Sequence, residues 1–251
     1  MRTIFEKLSV LMFLTLLFVF GYSFAPVSEW LPADAASASK EILVINKRVL
    51  AYKSYSFSVA YKTYKDHTSS NAYQKQNGYI IKEGLNYRAE VMGRLIVQNK
   101  DLRVTVDTAA KLIKVSNPLE GVEPNLDPTT YVKAMQGCRQ LKHSISDGLT
   151  GYRFEMKAKR GLIVQELFFD SDFMKKLVYY YVNVHSIREN NRIKEEIVYP
   201  RVSIEISNFK LLEKVDKTKF DTNDLVMIRK GKLVAAEKYR GFKILDGRYP
   251  K

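Results

Sequence analysis

The chain of 251 residues contains a single cysteine, Cys138, and only three histidines. One cysteine cannot form an intrachain disulfide and cannot build a cysteine-based metal cluster. The histidines, His67, His143 and His185, lie far apart and lack metal-ligand spacing. A glycine-rich phosphate loop, a GxSxG motif and an HExxH motif are also absent from the sequence. We therefore expect no enzyme activity, no cofactor and no metal site.

The sequence has one long uncharged apolar run, from Leu8 to Phe24, and a short basic segment precedes it. This order is typical of a secretory signal peptide, which we assign to residues 1–38. Small residues at alternate positions indicate two processing points, Ala33-Asp34-Ala35 and Ala36-Ser37-Ala38. An uncleaved anchor is the alternative, because the run is just short of the ~20 residues that span a bilayer. No cysteine lies in or just after the run, so the sequence predicts no lipoprotein anchor.

Acidic residues are too few to balance the basic ones, and the formal net charge is +14. In the cytoplasm this excess would indicate a nucleic-acid partner. The signal segment instead predicts secretion across the inner membrane into the periplasm, which argues against nucleic acid. The expected anionic partners there are membrane lipid headgroups, lipopolysaccharide phosphates and acidic envelope proteins. Solubility alone is the other explanation of the charge.

The pattern of apolar residues changes from helical to strand-like near residue 54. Residues 40–53 place apolar side chains at helical spacing, which predicts an amphipathic helix. The stretch SYSFSVAYK, residues 54–62, then alternates polar and large apolar side chains. This two-residue period predicts a strand with one solvent-exposed face and one apolar face.

Further alternating segments follow, with turn signals every 8–12 residues, and they predict an antiparallel meander. The proline-rich stretch 117–130 leads into a short predicted helix near 128–138, although a linker between domains is the alternative. We expect one domain over residues 39–226. The basic tail, residues 227–251, predicts a hairpin extension around Lys230-Gly231-Lys232.

These segments together predict a mainly β protein with a few helices. A sheet with one apolar concave face must be covered by helices, close into a barrel or be filled with ligand. A hollow with aromatic walls would suit lipid acyl chains. A fully packed core without a cavity is the alternative.

Several stretches carry a resemblance to a known family. They are EILVINKRVLAYKSYSFSVAYK, QKQNGYIIKEGLNYRAEVMG, LRVTVDTAAKLIKV, LDPTTYVKAMQGC, ELFFDSDFMKKLVYYY and VSIEISNFKLLEKVDKTKFD. In this order they resemble the periplasmic lipoprotein-carrier family with the LolA/LolB-like fold, over roughly residues 40–226. The resemblance implies a strongly curved antiparallel sheet, an unclosed half-barrel with helices covering its concave face. It also implies a cavity for lipid acyl chains, and binding and transfer in place of catalysis.

Two functions follow as hypotheses. The first is a periplasmic carrier that holds a lipid or an acylated lipoprotein in the hollow. The second is a structural or adaptor subunit of an envelope complex, with a filled core and a basic binding surface. For the first, the predicted cavity wall is Phe57, Val59, Tyr61, Leu102, Val104, Val106 and Tyr180. Tyr180 is chosen because alternation separates it from Tyr179 and Tyr181 and groups it with Val178, Val182 and Val184.

Overall fold

The computed structural model describes residues 29–119, 135, 137–189 and 192–248. These residues form a mainly β fold with one α-helix and a large curved sheet that does not close, which confirms the predicted fold class. No helix among them is both long and apolar enough to cross a membrane.

The helix α1, Ala35–Ala51, begins five residues before the predicted start at residue 40. The carboxylate of Asp34 caps it, accepting a hydrogen bond from the backbone N–H of Ser37 at 2.8 Å. Before the cap, the two-residue strand β1, Leu31–Pro32, pairs with strand β8, Cys138–Ser146. Part of the segment assigned to the signal, residues 31–38, therefore contributes to the described fold. The remainder of the predicted signal, up to residue 28, lies outside the described residues.

The first half of the chain forms a meander of antiparallel strands after α1. Its members are β2 (Ser54–Tyr64), β3 (Gln74–Glu83), β4 (Asn86–Val91), β5 (Arg94–Gln98), β6 (Arg103–Asp107) and β7 (Leu112–Ser116). The tight turn between β4 and β5 needs positive φ at two residues, Met92 (52°) and Gly93 (72°). Glycine meets this requirement without a steric penalty.

The second half begins with β8 and forms longer strands. They are β9 (Leu149–Met156), β10 (Gly161–Phe169), β11 (Met174–Glu189), β12 (Arg192–Val198) and β13 (Arg201–Leu211). Met135 and Gly137 are helical, but residues 128–134 and 136 of the predicted second helix lie outside the described residues.

The tail adds β14 (Val226–Arg229), β15 (Lys232–Ala235) and β16 (Lys243–Asp246). The strands β14 and β15 pair as a hairpin around Lys230 and Gly231. The strand β16 lies parallel to β7 and so belongs to the main sheet.

The order of the main sheet is β1-β8-β9-β10-β11-β13-β2-β3-β4-β5-β6-β7-β16, and β12 pairs only with β11. The strand β13 joins the two halves, because it pairs with both β11 and β2. The strands at the two ends, β1 and β16, do not pair with each other, so the sheet stays open.

Two apolar clusters lie on opposite faces of β5. The larger cluster includes Ile42 and Ile45 of α1 and Phe57 of β2, with Ile96 packed at its margin. The second cluster includes Val97 and packs β5, β6 and β7 against the tail. Because neighbouring residues of a strand face opposite sides, Ile96 and Val97 belong to different clusters.

Candidate functional site

The concave face is built from alternate residues of three paired strands. In β2, Tyr55, Phe57, Val59 and Tyr61 share this face, and the observed strand confirms their predicted alternation. The strand β13 places Ile204 opposite Tyr61 and Ile206 opposite Val59. On its other side, Ile204 lies opposite Leu177 of β11. The pairing register therefore assembles one continuous apolar wall from segments distant in sequence.

A cavity of about 550 Å³ lies on this face. It is lined by Val59, Tyr61, Ile80, Tyr87, Ala89, Val91, Met92, Arg94, Ile96, Leu177, Tyr179, Tyr181, Val202, Ile204 and Ile206. Binding sites for small ligands have volumes of about 300–1,000 Å³ and mostly apolar walls. The cavity fits that description in both respects.

The polar groups of the lining are tyrosine hydroxyls and one guanidinium. Burial raises the pKa of Tyr61 and of Tyr181 above the ordinary tyrosine value, so both stay neutral at physiological pH. Arg94 is the only charged residue among those that line the cavity, and its Nε donates to Asp107 Oδ2 at 2.9 Å. Hydrogen bonds from the backbone N–H of Ala110 and from Arg94 hold the pKa of Asp107 below its usual range. The cavity therefore carries little uncompensated charge.

The neighbouring part of the concave side is filled by side chains. Phe57 packs on Phe173 at 5.4 Å between ring centroids, and Phe173 packs on Phe209 at 4.4 Å. The helix α1 closes this part, and its Glu41 accepts a hydrogen bond from Tyr152 of β9 at 2.6 Å. The concave side is thus packed beneath α1 and hollow beside it.

The structure places the seven predicted wall residues in four environments. Val59 and Tyr61 line the cavity, and Phe57 shares their face but lies in the packed part. Leu102, Val104 and Val106 lie in or against the second cluster, which the tail covers. Only two of the seven therefore border the hollow. Because the tail packs on the outer face of β5–β7, the apolar faces of these strands point away from the cavity, which the sequence period alone cannot reveal.

Tyr180 lies on the face opposite the cavity. Its hydroxyl donates to Glu166 Oε2 at 3.0 Å, and Arg153 donates to Glu166 Oε1 at 2.5 Å. Burial, reinforced by the negative charge of Glu166, raises the pKa of Tyr180 to about 12. The alternation of the three tyrosines is observed, but Tyr179 and Tyr181 are the ones that line the hollow. The valines that share a face with Tyr180 therefore lie on the side of the sheet opposite the cavity.

Sequence reasoning also missed the lining residues of β3, β4, β5 and β13. A usable signal existed for β13, because Val202, Ile204 and Ile206 alternate with polar residues. Joining that stripe to β2 required the long-range pairing of β2 with β13, which no local pattern encodes.

The described residues hold no group of three or more His, Cys, Asp or Glu side chains that could bind a metal ion. Cys138 donates a hydrogen bond from its thiol to the backbone carbonyl of Met135 at 3.1 Å. Burial raises the pKa of this thiol, which disfavours the reactive thiolate.

Comparisons with known proteins give fold-level likenesses only. No protein-family model and no curated protein matches the chain. A DUF1329 family protein from Desulfovibrio piger is similar in structure, with 9% identity and a TM-score of 0.34, over 76% of this chain and 99% of the other. A putative outer membrane lipoprotein-sorting protein domain from Vibrio parahaemolyticus has 10% identity and a TM-score of 0.31, over 76% of this chain and 98% of the other. Scores this low carry no functional argument.

Proposed function

We propose that the protein is a non-enzymatic periplasmic carrier that holds the acyl chain of a lipid or an acylated lipoprotein. The observation that carries this proposal is the open apolar cavity of about 550 Å³ on the concave face. An acyl chain gains free energy in proportion to the apolar area that it buries, and the side chains of β2, β11 and β13 supply that area. The basic and apolar N-terminal segment supports the periplasmic location.

The neutral tyrosine hydroxyls suit the polar end of such a ligand. An ionised group deep in an apolar cavity would cost several kcal/mol, roughly, unless it were paired. The one charged lining residue, Arg94, already pairs with Asp107. An apolar chain is therefore the part of a ligand that this wall accommodates best.

The test is native mass spectrometry of protein purified from its own cell envelope, together with titration of a fluorescent fatty acid. We expect a co-purifying lipid or acylated peptide and saturable binding of the fatty acid. Absence of both would overturn the carrier function and favour the adaptor subunit.

A cavity-filling variant, Val202→Trp, locates the binding. Val202 is half-buried and lines the hollow, so an indole there should weaken fatty-acid binding by at least about tenfold. Val184→Trp is the matched control, because Val184 lies where β11 has left the main sheet and pairs with β12. Equal affinity in the two variants would contradict the assignment of the cavity, and thermal unfolding checks that both are folded.

A further inference from the structure

A second cavity, of about 480 Å³, lies beside β11, where β9 ends and β10 begins. It is lined by Arg139, Glu155, Met156, Lys157, Ala158, Lys159, Ile163, Val164 and Val182. We call it the outer pocket. It shares no residue with the concave cavity.

The outer pocket opens on the face opposite the concave cavity. Val164 pairs directly with Glu155, so both side chains point to the same side of the sheet. Val182 is two residues from Tyr180 in β11 and shares its outward face. One strand therefore contributes Tyr181 to the concave cavity and Val182 to the outer pocket.

The pocket combines an apolar wall with excess positive charge. Glu155 is its only acidic lining residue, and it is already satisfied by Arg139 at 2.9 Å and Lys142 at 2.8 Å. The hydrogen bond from Lys142 is the main reason that the pKa of Glu155 lies below its usual range. Lys157 and Lys159 are exposed, and neither has an ion-pair partner among the described residues. Two ammonium groups are thus left free at the edge of an apolar hollow.

We infer that the outer pocket binds the anionic headgroup of a membrane lipid. The ammonium groups of Lys157 and Lys159 would contact phosphate oxygens, which are strong acceptors for cationic donors. The apolar side chains of Val164, Val182 and Ile163 would contact the carbon atoms next to the phosphate. A free phosphate ion satisfies the lysines but leaves this apolar wall without a partner. The site would hold the protein on an anionic membrane surface while the concave cavity stays available on the other face.

This inference is independent of the carrier function, because the two cavities share no residue. Loss of fatty-acid binding by Val202→Trp should leave membrane association unchanged. Failure of one proposal is therefore distinguishable from failure of the other.

The experiment measures binding of the full folded chain to phosphatidylcholine vesicles with and without phosphatidylglycerol. We expect binding only to the anionic vesicles. The double variant Lys157→Gln, Lys159→Gln should bind about thirtyfold more weakly, since each lysine near an anionic surface contributes about a factor of five.

The matched control removes the same charge elsewhere: Lys230→Gln, Lys232→Gln in the tail hairpin. If general electrostatic attraction were responsible, both double variants would lose affinity equally, and the inference would be overturned. Thermal unfolding of both variants checks that they are folded.

A final arm separates the two sources of phosphate. Inorganic phosphate and a short-chain phosphatidylglycerol are titrated below micelle formation, with the methyl resonances of Val164 and Val182 observed by NMR. Shifts of these methyls with the lipid at much lower concentration than with phosphate support a headgroup site. Equal affinity for phosphate, or unshifted methyls, contradicts it.

Discussion

The three consecutive tyrosines of β11 have different environments although they share one strand. Tyr179 and Tyr181 line the concave cavity, while Tyr180 donates to Glu166 on the opposite face. The carboxylate of Glu166 is buried, and Arg153 compensates its charge. Burying the carboxylate of Glu166 without such partners would lower the stability of the fold. Tyr180 is therefore one of the partners in a polar network on the outer face.

At Tyr55 we expect an alkaline loss of stability. Its side chain is only 4% exposed and packs on Phe57 and Phe209, and burial raises the pKa of the phenol from 10.0 to about 12. Below pH 10 the phenol of Tyr55 is neutral in both the folded and the unfolded state, so its full contribution to the free energy of unfolding is present. Between about pH 10 and 12 the unfolded chain loses the proton first, so the free energy of unfolding falls.

Urea unfolding of the wild type and of Tyr55→Phe from pH 8 to pH 12 measures this effect. The phenylalanine cannot ionise, so the difference between the two proteins should change by about 2–3 kcal/mol over that range, in favour of the variant. The difference at pH 8 is the control for packing changes. A difference that does not vary with pH would contradict the prediction.

Residue patterns predicted which side chains share a face but not which face is concave. The alternation in β2 correctly placed its large apolar side chains on one face, but the predicted solvent-exposed face is wrong, because no residue of β2 is exposed and Ser54 and Ser56 are buried. In β11 both faces carry apolar side chains, and the larger number of valines favoured the wrong face for Tyr180. The two faces of β11 differ because of its neighbouring strands. The strand β13 contributes Ile204 to the concave face, and β10 contributes Glu166 to the opposite face.

At the scale of elements, the helix α1 depends on residues that resemble a processing site. The segment Ala33–Ala38 is rich in alanine, which fits a signal-peptidase site and is also the best helix former. In the fold Asp34 caps α1, and the backbone N–H of Ala33 donates to the carbonyl of Leu141 at 3.0 Å. Ala38 is 1% exposed and lies in the main apolar cluster. Apolar periodicity begins only later, at Ile42, which explains why the start at Ala35 was missed.

A chain that begins at Ser39 should therefore be less stable than one that begins at Glu29. It lacks β1, the Asp34 cap and the edge contact between Trp30 and Phe168. Loss of the cap alone should cost about 1 kcal/mol, and the other contacts add to this. Urea unfolding of the two chains gives the difference, and Asp34→Ala in the longer chain isolates the cap. Equal stability of both chains would show that residues 29–38 are dispensable for folding.

At the scale of the whole molecule, the tail is part of the fold rather than an appendage. Leu233, Ala235 and Ile244 of the tail pack against the second cluster, in which Val104, Val106, Ile113 and others have no exposed surface. The strand β16 also covers the edge of β7 by parallel pairing. The sequence predicted the tail hairpin, but its packing on β5–β7 is a contact between segments more than 100 residues apart. Local patterns do not encode such contacts, and for the same reason Val104 and Val106 were assigned to the cavity.

Deleting residues 226–251 should strongly destabilise the protein, because it uncovers the valines of β6 and removes β16 from the edge of β7. Exposing several fully buried valine and isoleucine side chains costs on the order of 5 kcal/mol. Urea unfolding should show a large fall in the midpoint, or no cooperative transition, and the control is a chain that ends at Arg248 and keeps β16. An unchanged midpoint after the larger deletion would contradict the role of the tail in the core. Because the deletion unfolds the core, it cannot test whether the hairpin binds an envelope partner. The double variant Lys230→Gln, Lys232→Gln tests that site instead, since it leaves the apolar contacts of Leu233 and Ala235 in place.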